Sequence, residues 1–428
     1  MHNQRVIVVG TTPDYIDLLN NRFPGRVLFV TDPAQRDRAD ESGPDTSTEL
    51  LIALDDIEDV RSALSAHLRK WQITPKGVVC FDCESLILAA RLAKHYHLPY
   101  PSLESVILCR NKIQTKQRWQ ELGIPCPASR LIYDELDAVR FMNHLRSSVV
   151  LKPITGSGSE LVFACRDEAE CVAAVKTIKA MLARHKDFRM YPTENDCGES
   201  NLRTSLAAEE LIEGPEFSCD FILKDNCAEI IRVAKKIPAA GHSFGTMLAY
   251  LLPSELPSSI TRKALCRLLF NAAQAIGLSR SVCMADFIIS KNQVKLLEIT
   301  PRPGGDCLPQ LIMKSSGFDI LGASLDLAEG RSVDVPSLLK WKQFAALRLF
   351  AAHSGIIRAI DDKALRRDER VVECLVIRCP GHRVILPPEN YDSRFIGYVV
   401  FKPDAVDEIT SECTDLISKL VLDMETLH

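Results

Sequence analysis

The sequence lacks the runs of basic residues that nucleic-acid binding requires. It has 52 lysines and arginines against 56 acidic residues, a net charge of −4, and no lysine or arginine run longer than two residues. Proteins that bind nucleic acid through its phosphates usually carry a basic patch or stripe. We therefore expect no nucleic-acid partner.

The sequence also lacks a membrane-spanning stretch and a secretory signal. No apolar run approaches the ~18 residues that a transmembrane helix needs. The N-terminus has no charged region followed by an apolar core and a small-residue cleavage site. We therefore expect a soluble, cytoplasmic protein that does not bind membranes.

Paired cysteine motifs are scarce although cysteine is not. The chain has 15 cysteines, an odd number, and no secretory features, so we expect most of them to be reduced. Cys80 and Cys83 have the spacing of a redox or zinc pair, but no second pair follows at a zinc-finger distance. The pattern favours core cysteines at the end of a strand.

Length and element order predict several domains. A chain of 428 residues suggests about two to four domains. Strand-like and helix-like segments alternate near the N-terminus, which predicts a parallel α/β domain over residues 1–108. The strands are expected at residues 5–10, 26–30 and 77–81, with a helix at 86–96. The turn after Gly10 lacks the spaced glycines of a dinucleotide fingerprint.

The remaining chain is predicted to form two further domains. A central domain spans residues 109–335 and includes a lid subdomain at about 145–211. A C-terminal α+β domain spans residues 336–428. Its elements are expected to be strands at 344–350 and 371–377 and an amphipathic helix at about 411–424.

Two acidic residues twelve positions apart predict a metal site on a hairpin. Asp286 and Glu298 each lie in an alternating apolar run, at 282–289 and 294–299, and residues 291–293 suit a tight turn. Paired strands would bring the two carboxylates together, where they repel each other unless a cation is shared. Oxygen ligands favour Mg²⁺. The alternative is two solvent-facing acids on an ordinary hairpin.

A lysine followed by a small-residue loop predicts a phosphate site. Lys152 ends an apolar strand, and the loop after it contains Thr155, Gly156, Ser157, Gly158 and Ser159. Glycines allow backbone N–H groups to approach phosphate oxygens, and hydroxyls add donors. The order is not that of a Walker loop, because the lysine precedes the glycines. A Gly/Ser turn between two strands is the alternative.

Three further segments carry candidate ligands. Glu209, the Ile212 backbone and Glu216 lie on one short strand–turn–strand path that could meet a nucleoside, although taken alone an acidic turn between strands explains the pattern better. Lys112 opens a predicted helix, where a lysine is normally just solvated.

A long irregular segment at 237–256 makes His242 and Lys235, or its neighbour Lys236, candidates for a substrate pocket. Residues in such loops more often face water.

In this order and at these distances, the segments resemble the ATP-grasp superfamily, and more closely its carboxylate–amine ligases of the L-amino-acid ligase type. The resemblance runs from about residue 5 to the C-terminus. It implies a mixed α/β and α+β fold: an N-terminal Rossmann-like domain, a central ATP-grasp domain with a mobile lid, and a small C-terminal α+β domain.

The resemblance also implies roles for individual residues. Those that would bind ATP are Lys112, Lys152, the loop Thr155 to Ser159 over the phosphates, Glu209 and Ile212 at adenine, and Glu216 at ribose. Those that would bind metal are Asp286, Glu298 and Thr300. Lys152 and Arg302 would be catalytic, Arg302 gripping the acyl phosphate or a carboxylate, with Gly304 and Gly305 near the substrate. The family usually has Glu where this chain has Asp286, and Asn where this chain has Thr300. A threonine hydroxyl is a weaker metal ligand than an amide carbonyl.

The implied reaction is ATP-dependent amide formation. ATP and Mg²⁺, with Mn²⁺ as an alternative ion, would activate a small carboxylic acid as an acyl phosphate, and an amine would then form a dipeptide or an antibiotic-type metabolite. A homodimer is left open. One alternative is a purine-type ligase or a carboxylase, although the Gly-only phosphate loop of biotin-dependent carboxylases is absent. Another is a regulatory ATP-binding protein, favoured by Thr300 and opposed by the retained lysines and Arg302.

Overall fold

A parallel sheet forms the N-terminal part of the molecule. The computed structural model describes residues 3–36, 43–193, 202–335, 337 and 340–426. The first sheet has the order β3-β2-β1-β4, with every pairing parallel, as the alternating pattern predicted. Its strands and helices are β1 (Asn3–Val9), α1 (Pro13–Arg22), β2 (Val27–Thr31), α2 (Pro33–Arg36), β3 (Glu49–Leu51), α3 (Ile57–Lys70), β4 (Ile73–Val79) and α4 (Leu86–His95).

A four-stranded antiparallel sheet with two helices follows, and we call this unit the lid. It extends the predicted lid subdomain at about 145–211 towards the N-terminus, and its mobility stays a prediction. Two helices, α5 (Leu103–Arg110) and α6 (Lys112–Glu121), lead into it, and the Asn111 side chain caps α6 by accepting from the Ile113 and Gln114 N–H groups. The sheet has the order β5-β8-β6-β7. The lid consists of β5 (Ser129–Ile132), α7 (Glu135–Leu145), β6 (Val149–Pro153), β7 (Phe163–Cys165), α8 (Glu168–Arg184) and β8 (Leu206–Glu210).

An eight-stranded antiparallel sheet connects the centre of the chain to its C-terminal part. Its order is β13-β12-β9-β10-β11-β14-β18-β16, where β14 (Phe344–Phe350), β18 (Phe395–Phe401) and β16 (Val371–Val376) come from the C-terminal part. The central elements are β9 (Glu216–Leu223), β10 (Ala228–Pro238), β11 (Met247–Leu252), α9 (Arg262–Ala275), β12 (Ser281–Ser290), β13 (Gln293–Thr300), α10 (Leu308–Ser316) and α11 (Ile320–Ala328). The predicted irregular segment at 237–256 is wrong in its second half, because β11 lies there, paired with β10 and β14.

The C-terminal part extends this sheet and adds a small one. Three of its strands, β14, β18 and β16, continue the large sheet, and β17-β15-β19 form a three-stranded sheet. The elements are β14 (Phe344–Phe350), β15 (Gly355–Asp361), α12 (Lys363–Arg366), β16 (Val371–Val376), β17 (Arg383–Val384), β18 (Phe395–Phe401), α13 (Ile409–Ser418) and β19 (Val421–Glu425). The predicted domain boundaries stay predictions.

The predicted helix at 411–424 is wrong at its end. Helix α13 stops at Ser418, and Val421–Glu425 is a strand that pairs with β15. Exposure along β19 alternates residue by residue, which is the period of a strand and not the 3.6-residue period of a helix. In the described part of the chain, no helix is long and apolar enough to cross a membrane.

Candidate active site

One large cavity lies between the lid, the eight-stranded sheet and the N-terminal loops. It has a volume of about 2050 Å³, and its wall includes every predicted site residue except Thr300. The wall is built from the start of α6, the loop after β6, strands β8 to β10, the β12–β13 hairpin and the loop after β13. The fold therefore assembles in one place residues that are far apart in the sequence.

The hairpin places the two predicted acidic residues opposite each other. Asp286 on β12 is the direct cross-strand partner of Glu298 on β13. The strands are joined by Lys291 and Asn292, both with positive φ, which suits a two-residue hairpin turn. Asp286 Oδ2 accepts from the Lys236 ammonium at 2.7 Å, whereas its Oδ1 is buried and has no hydrogen-bond partner. An unsatisfied buried carboxylate oxygen on a cavity wall suits a cation.

These residues fit one Mg²⁺ ion. Mg²⁺ is commonly held by one or two carboxylates together with substrate phosphates and water, and Asp286 and Glu298 supply two carboxylates. Thr300 is buried and pairs with Met284, and it does not lie on the cavity wall. Thr300 lies two residues after Glu298 on the same face of β13, so its predicted role as a metal ligand stays a prediction. Within the described ranges, no group of three or more acidic, histidine or cysteine ligands forms.

A buried carboxylate joins two lysines beneath the lid. Glu209 on β8 is 2% exposed, and its two oxygens lie 3.1 Å from Lys116 Nζ and 2.7 Å from Lys152 Nζ. Burial alone would raise the pKa of Glu209, but the two ammonium groups outweigh it and lower that pKa to about 2. The observed partners of Glu209 are thus lysines, and its predicted adenine contact stays a prediction.

Lys116 was missed by sequence reasoning. It is fully buried, and its ammonium also donates to the Leu297 carbonyl. Lys116 lies four residues after Lys112 on α6, so both side chains project from the same helix face. That spacing was the available signal, but a burial that depends on Glu209, far along the chain, is not visible in the local sequence.

Lys112 contacts the predicted phosphate loop directly. Its ammonium donates to the Gly156 carbonyl at 2.9 Å, and the Thr155 hydroxyl donates to the Met190 carbonyl at 3.0 Å. Burial lowers the pKa of Lys112 to about 8, with Glu298 acting in the opposite direction. Gly156 has φ +108°, and a Cβ there would lie 2.7 Å from the Tyr191 ring, so the loop requires glycine at this point.

Lys236 connects the predicted ribose ligand to the predicted metal ligand. Its ammonium forms ion pairs with Glu216 and with Asp286. Burial would lower the pKa of Lys236, but these two carboxylates outweigh it and raise that pKa well above its usual value. Sequence reasoning left Lys235 and Lys236 open. Both line the cavity, and Lys236 is the one whose ammonium contacts the acidic residues.

The loop after β13 is held in place by a buried ion pair. Arg232 and Asp220 are both fully buried, with Nε 2.7 Å from Oδ2, and Asp220 Oδ1 accepts from the Gly304 N–H at 2.8 Å. A Cβ on Gly304 would lie 2.6 Å from Arg232 Nη2. Gly304 is therefore the residue that permits the loop carrying Arg302 to approach this pair.

Arg302 lies against the loop between β4 and α4. Its Nε and Nη2 are 3.2 and 3.0 Å from Cys83 Sγ, and its Nη1 donates to the Pro303 carbonyl at 2.8 Å. Beside it on the cavity wall is Glu84, whose pKa burial and Asp82 raise to about 7. Sequence reasoning identified Arg302 but neither Cys83 nor Glu84 as its neighbours.

Hydrogen bonds from Arg394 connect the loop at 239–246 to the C-terminal part of the molecule. Arg394 donates to the hydroxyls of Ser243 and Thr246 at 3.1 and 2.8 Å and lies 3.4 Å from His242 Nδ1. Burial, and then Arg394, lower the pKa of His242. His242 lines the cavity as predicted by position, and its role in substrate binding stays a prediction.

A lid over a large antiparallel sheet, with lysines and paired carboxylates between them, is the arrangement expected of an ATP-grasp fold. Residues 145–310 match the family model of the ATP-grasp domain. The crystal structure of L-amino acid ligase from Bacillus licheniformis superposes with a TM-score of 0.76 at 16% identity, covering 100% of both chains. Residues 145–310 are therefore an ATP-grasp domain, and the chain shares the fold of the L-amino acid ligase structure.

Sequence relatives and a second structure extend the comparison. The chain is 25% identical over 423 residues to the uncharacterised protein y4rH of Sinorhizobium fredii, covering 97% of this chain and 81% of that one. It is 23% identical over 263 residues to D-alanine–D-alanine ligase of Ralstonia pickettii, covering 59% and 72%. Phosphoribosylglycinamide synthetase of Anaerococcus prevotii shares the fold with a TM-score of 0.64 at 17% identity, covering 99% and 100%.

Proposed function

We propose that the protein is an ATP-dependent carboxylate–amine ligase that couples an amino acid or amino-acid-like acid to an amino acid. The product would be a dipeptide or a specialised-metabolite amide of the antibiotic type. The observation that carries the proposal is the meeting of Lys112 and Lys152 with the carboxylates of Asp286 and Glu298 in one cavity.

Charge complementarity gives the lysines their role. An ATP triphosphate placed between the lid and the hairpin would meet two ammonium groups and the loop at 155–159. Glu209 already orients Lys152, and the Gly156 carbonyl already orients Lys112. Little side-chain freedom would therefore be lost when ATP binds. When Mg²⁺ is bound by Asp286 and Glu298, it supplies neutralisation of charge on the phosphates.

The proposed reaction has two steps. A carboxylate oxygen of the acid attacks the γ-phosphorus, the bond to the β-phosphate oxygen breaks, and ADP leaves with that electron pair. The amine nitrogen then attacks the acyl carbon, and phosphate leaves as the amide forms. Arg302 carries a fixed positive charge beside this site, suited to hold the developing oxyanion or the acyl phosphate.

Release of ADP tests the proposal. Purified protein with ATP and Mg²⁺ is given amino acids and other small acids, including bicarbonate, singly and in pairs, and ADP and phosphate are measured. We expect release that requires two components. Release with bicarbonate and a non-amino-acid amine would favour the carboxylase or purine-type alternative, and silence across the matrix would contradict ligase activity on these substrates.

A variant tests the metal assignment. Glu298→Ala is expected to abolish ADP formation without unfolding the protein, because Glu298 is half-buried and lies on the cavity wall. The matched control is Glu229→Ala, a half-exposed acidic residue on β10 of the same sheet that pairs with Lys224 outside this cavity. Unchanged turnover in the Glu298 variant would overturn the assignment.

A further inference from the structure

We propose that the ion pair of Asp306 with Arg348, at the end of the cavity nearest the C-terminal strands, binds the amine substrate as a zwitterionic α-amino acid. The inference rests on the proposed ligase function and names the substrate class of one part of that site. Neither residue was singled out by the sequence.

The pair is only partly satisfied within the protein. Arg348 Nε lies 2.6 Å from Asp306 Oδ2, and the two side chains are 22% and 23% exposed on the cavity wall. The Nε–H is not directed at the carboxylate in hydrogen-bond geometry, and Nη1 donates to the Met247 carbonyl at 3.3 Å. Nη2 has no acceptor among the described residues. A guanidinium has five N–H groups, so an edge is available to a ligand carboxylate.

Aromatic rings fix the orientation of that edge. The Arg348 guanidinium carbon lies 4.9 Å from the centre of the Phe350 ring and 5.0 Å from that of Phe395. Burial would lower the pKa of Arg348, but Asp306, followed by Tyr250, raises it, so the group stays charged. A guanidinium packed on rings loses little side-chain freedom when it binds a carboxylate.

Asp306 lies close to the reacting end of the cavity. It follows Gly305, whose Cβ position would be 3.6 Å from Arg302 Nη1, and its own carbonyl accepts from the Tyr15 hydroxyl at 3.4 Å. Its φ of 60° is left-handed, a conformation that non-glycine residues adopt mainly where the surrounding structure holds them. The loop that contains Arg302 thus places the Asp306 carboxylate between the proposed reaction centre and Arg348.

The Arg348 guanidinium and the Asp306 carboxylate complement the carboxylate and the ammonium of an α-amino acid. This arrangement favours the amino acid as the amine substrate. A carboxylate gripped by Arg348 is not available for phosphorylation, so the bound molecule is the nucleophile. Its ammonium would meet Asp306, which can accept one proton and free the nitrogen lone pair for attack on the acyl carbon. The departing phosphate takes the electron pair of the broken C–O bond and the second proton.

Hydroxylamine provides a nucleophile that needs no such site. It lacks a carboxylate but converts an acyl phosphate to a hydroxamate, so it reports activation of the acid alone. Wild type, Arg348→Gln and Asp306→Asn are assayed with the same acid, once with the amino acid and once with hydroxylamine. Asn tolerates left-handed φ, so the second variant keeps the backbone. Arg358→Gln, an exposed arginine 58% accessible and paired with Glu425, is the matched control.

We expect the ratio of amide to hydroxamate formation at subsaturating amino acid to fall about tenfold to a hundredfold in both variants, the loss of one charged hydrogen-bonded contact. The control should keep the wild-type ratio. An unchanged ratio in Arg348→Gln would overturn the inference while hydroxamate formation still upholds the ligase. Absence of both products in wild type would refute the proposed function itself and the inference with it.

Discussion

The substitution Glu209→Gln removes the charge that holds two lysines under the lid. The carboxylate of Glu209 contacts Lys116 and Lys152, and the Lys116 ammonium is fully buried. Gln keeps the shape and one acceptor oxygen but leaves two buried or half-buried positive charges without their anion. We therefore expect a loss of stability and misplacement of Lys152.

The size of the loss follows from the lowered pKa. The pKa of Glu209 is lowered from 4.5 to about 2. One pKa unit corresponds to 1.36 kcal/mol, so the folded protein favours the ionised carboxylate by about 3 kcal/mol. Breaking a buried ion pair by removing one partner typically costs about 3–5 kcal/mol. The two figures agree at about 3 kcal/mol.

Urea unfolding at neutral pH measures this loss. The matched control is Glu210→Gln, the next residue on β8, which is half-exposed and whose side chain accepts from the Ala128 N–H at 3.4 Å. We expect the control to lose less than about 0.5 kcal/mol. Because the folded pKa is depressed, the contribution of Glu209 is present above pH 4.5 and is lost as pH falls from about 4.5 towards 2, where wild type and variant should converge.

A second substitution separates charge from packing. If the cost arises from the unpaired ammonium, then Lys116→Met in the Glu209→Gln background should recover part of the stability, since an apolar side chain needs no counterion. Glu209→Gln within 1 kcal/mol of wild type, or no recovery in the double variant, would refute the reasoning from this ion pair.

Two further changes test the phosphate site and the loop after β13. Because burial lowers the pKa of Lys112 to about 8 and phosphates favour its charged form, ATP binding near pH 8 should take up protons and weaken as pH rises further. Calorimetry in buffers of different ionisation enthalpy measures the uptake, which Lys112→Arg should abolish. Gly304→Ala, whose Cβ would lie 2.6 Å from Arg232 Nη2, should cost about 1–3 kcal/mol in urea unfolding. Gly305→Ala, with its nearest neighbour at 3.6 Å, should cost less, and equal losses would count against this packing argument.

The hairpin and the strand–loop motifs could be predicted from the sequence because they depend on local chemistry. Alternating apolar residues and a polar turn were enough to predict β12 and β13. The two-residue turn alone would place Asp286 opposite Leu297, and a bulge between Asp286 and Phe287 shifts the register so that Asp286 lies opposite Glu298. Lys112 was likewise placed at the start of a predicted helix, and α6 begins at this residue.

What the sequence could not show depends on long-range contacts. Lys116 is buried because Glu209 lies 93 residues later, and Arg348 reaches the cavity because β14 pairs with β11 from a distant part of the chain. The strand at Val421–Glu425 was obscured because five alternating residues after a helix give too short a pattern to distinguish the two periods.

Transfer of an oxygen atom tests the central claim most directly. An acid found active in the substrate matrix is labelled with ¹⁸O in its carboxylate, and the released phosphate is analysed by mass spectrometry. Activation as an acyl phosphate requires that one labelled oxygen passes from the acid to each phosphate, and this is the result we expect. Phosphate released without label, at the same rate as amide formation, would contradict activation of the acid by ATP in this cavity.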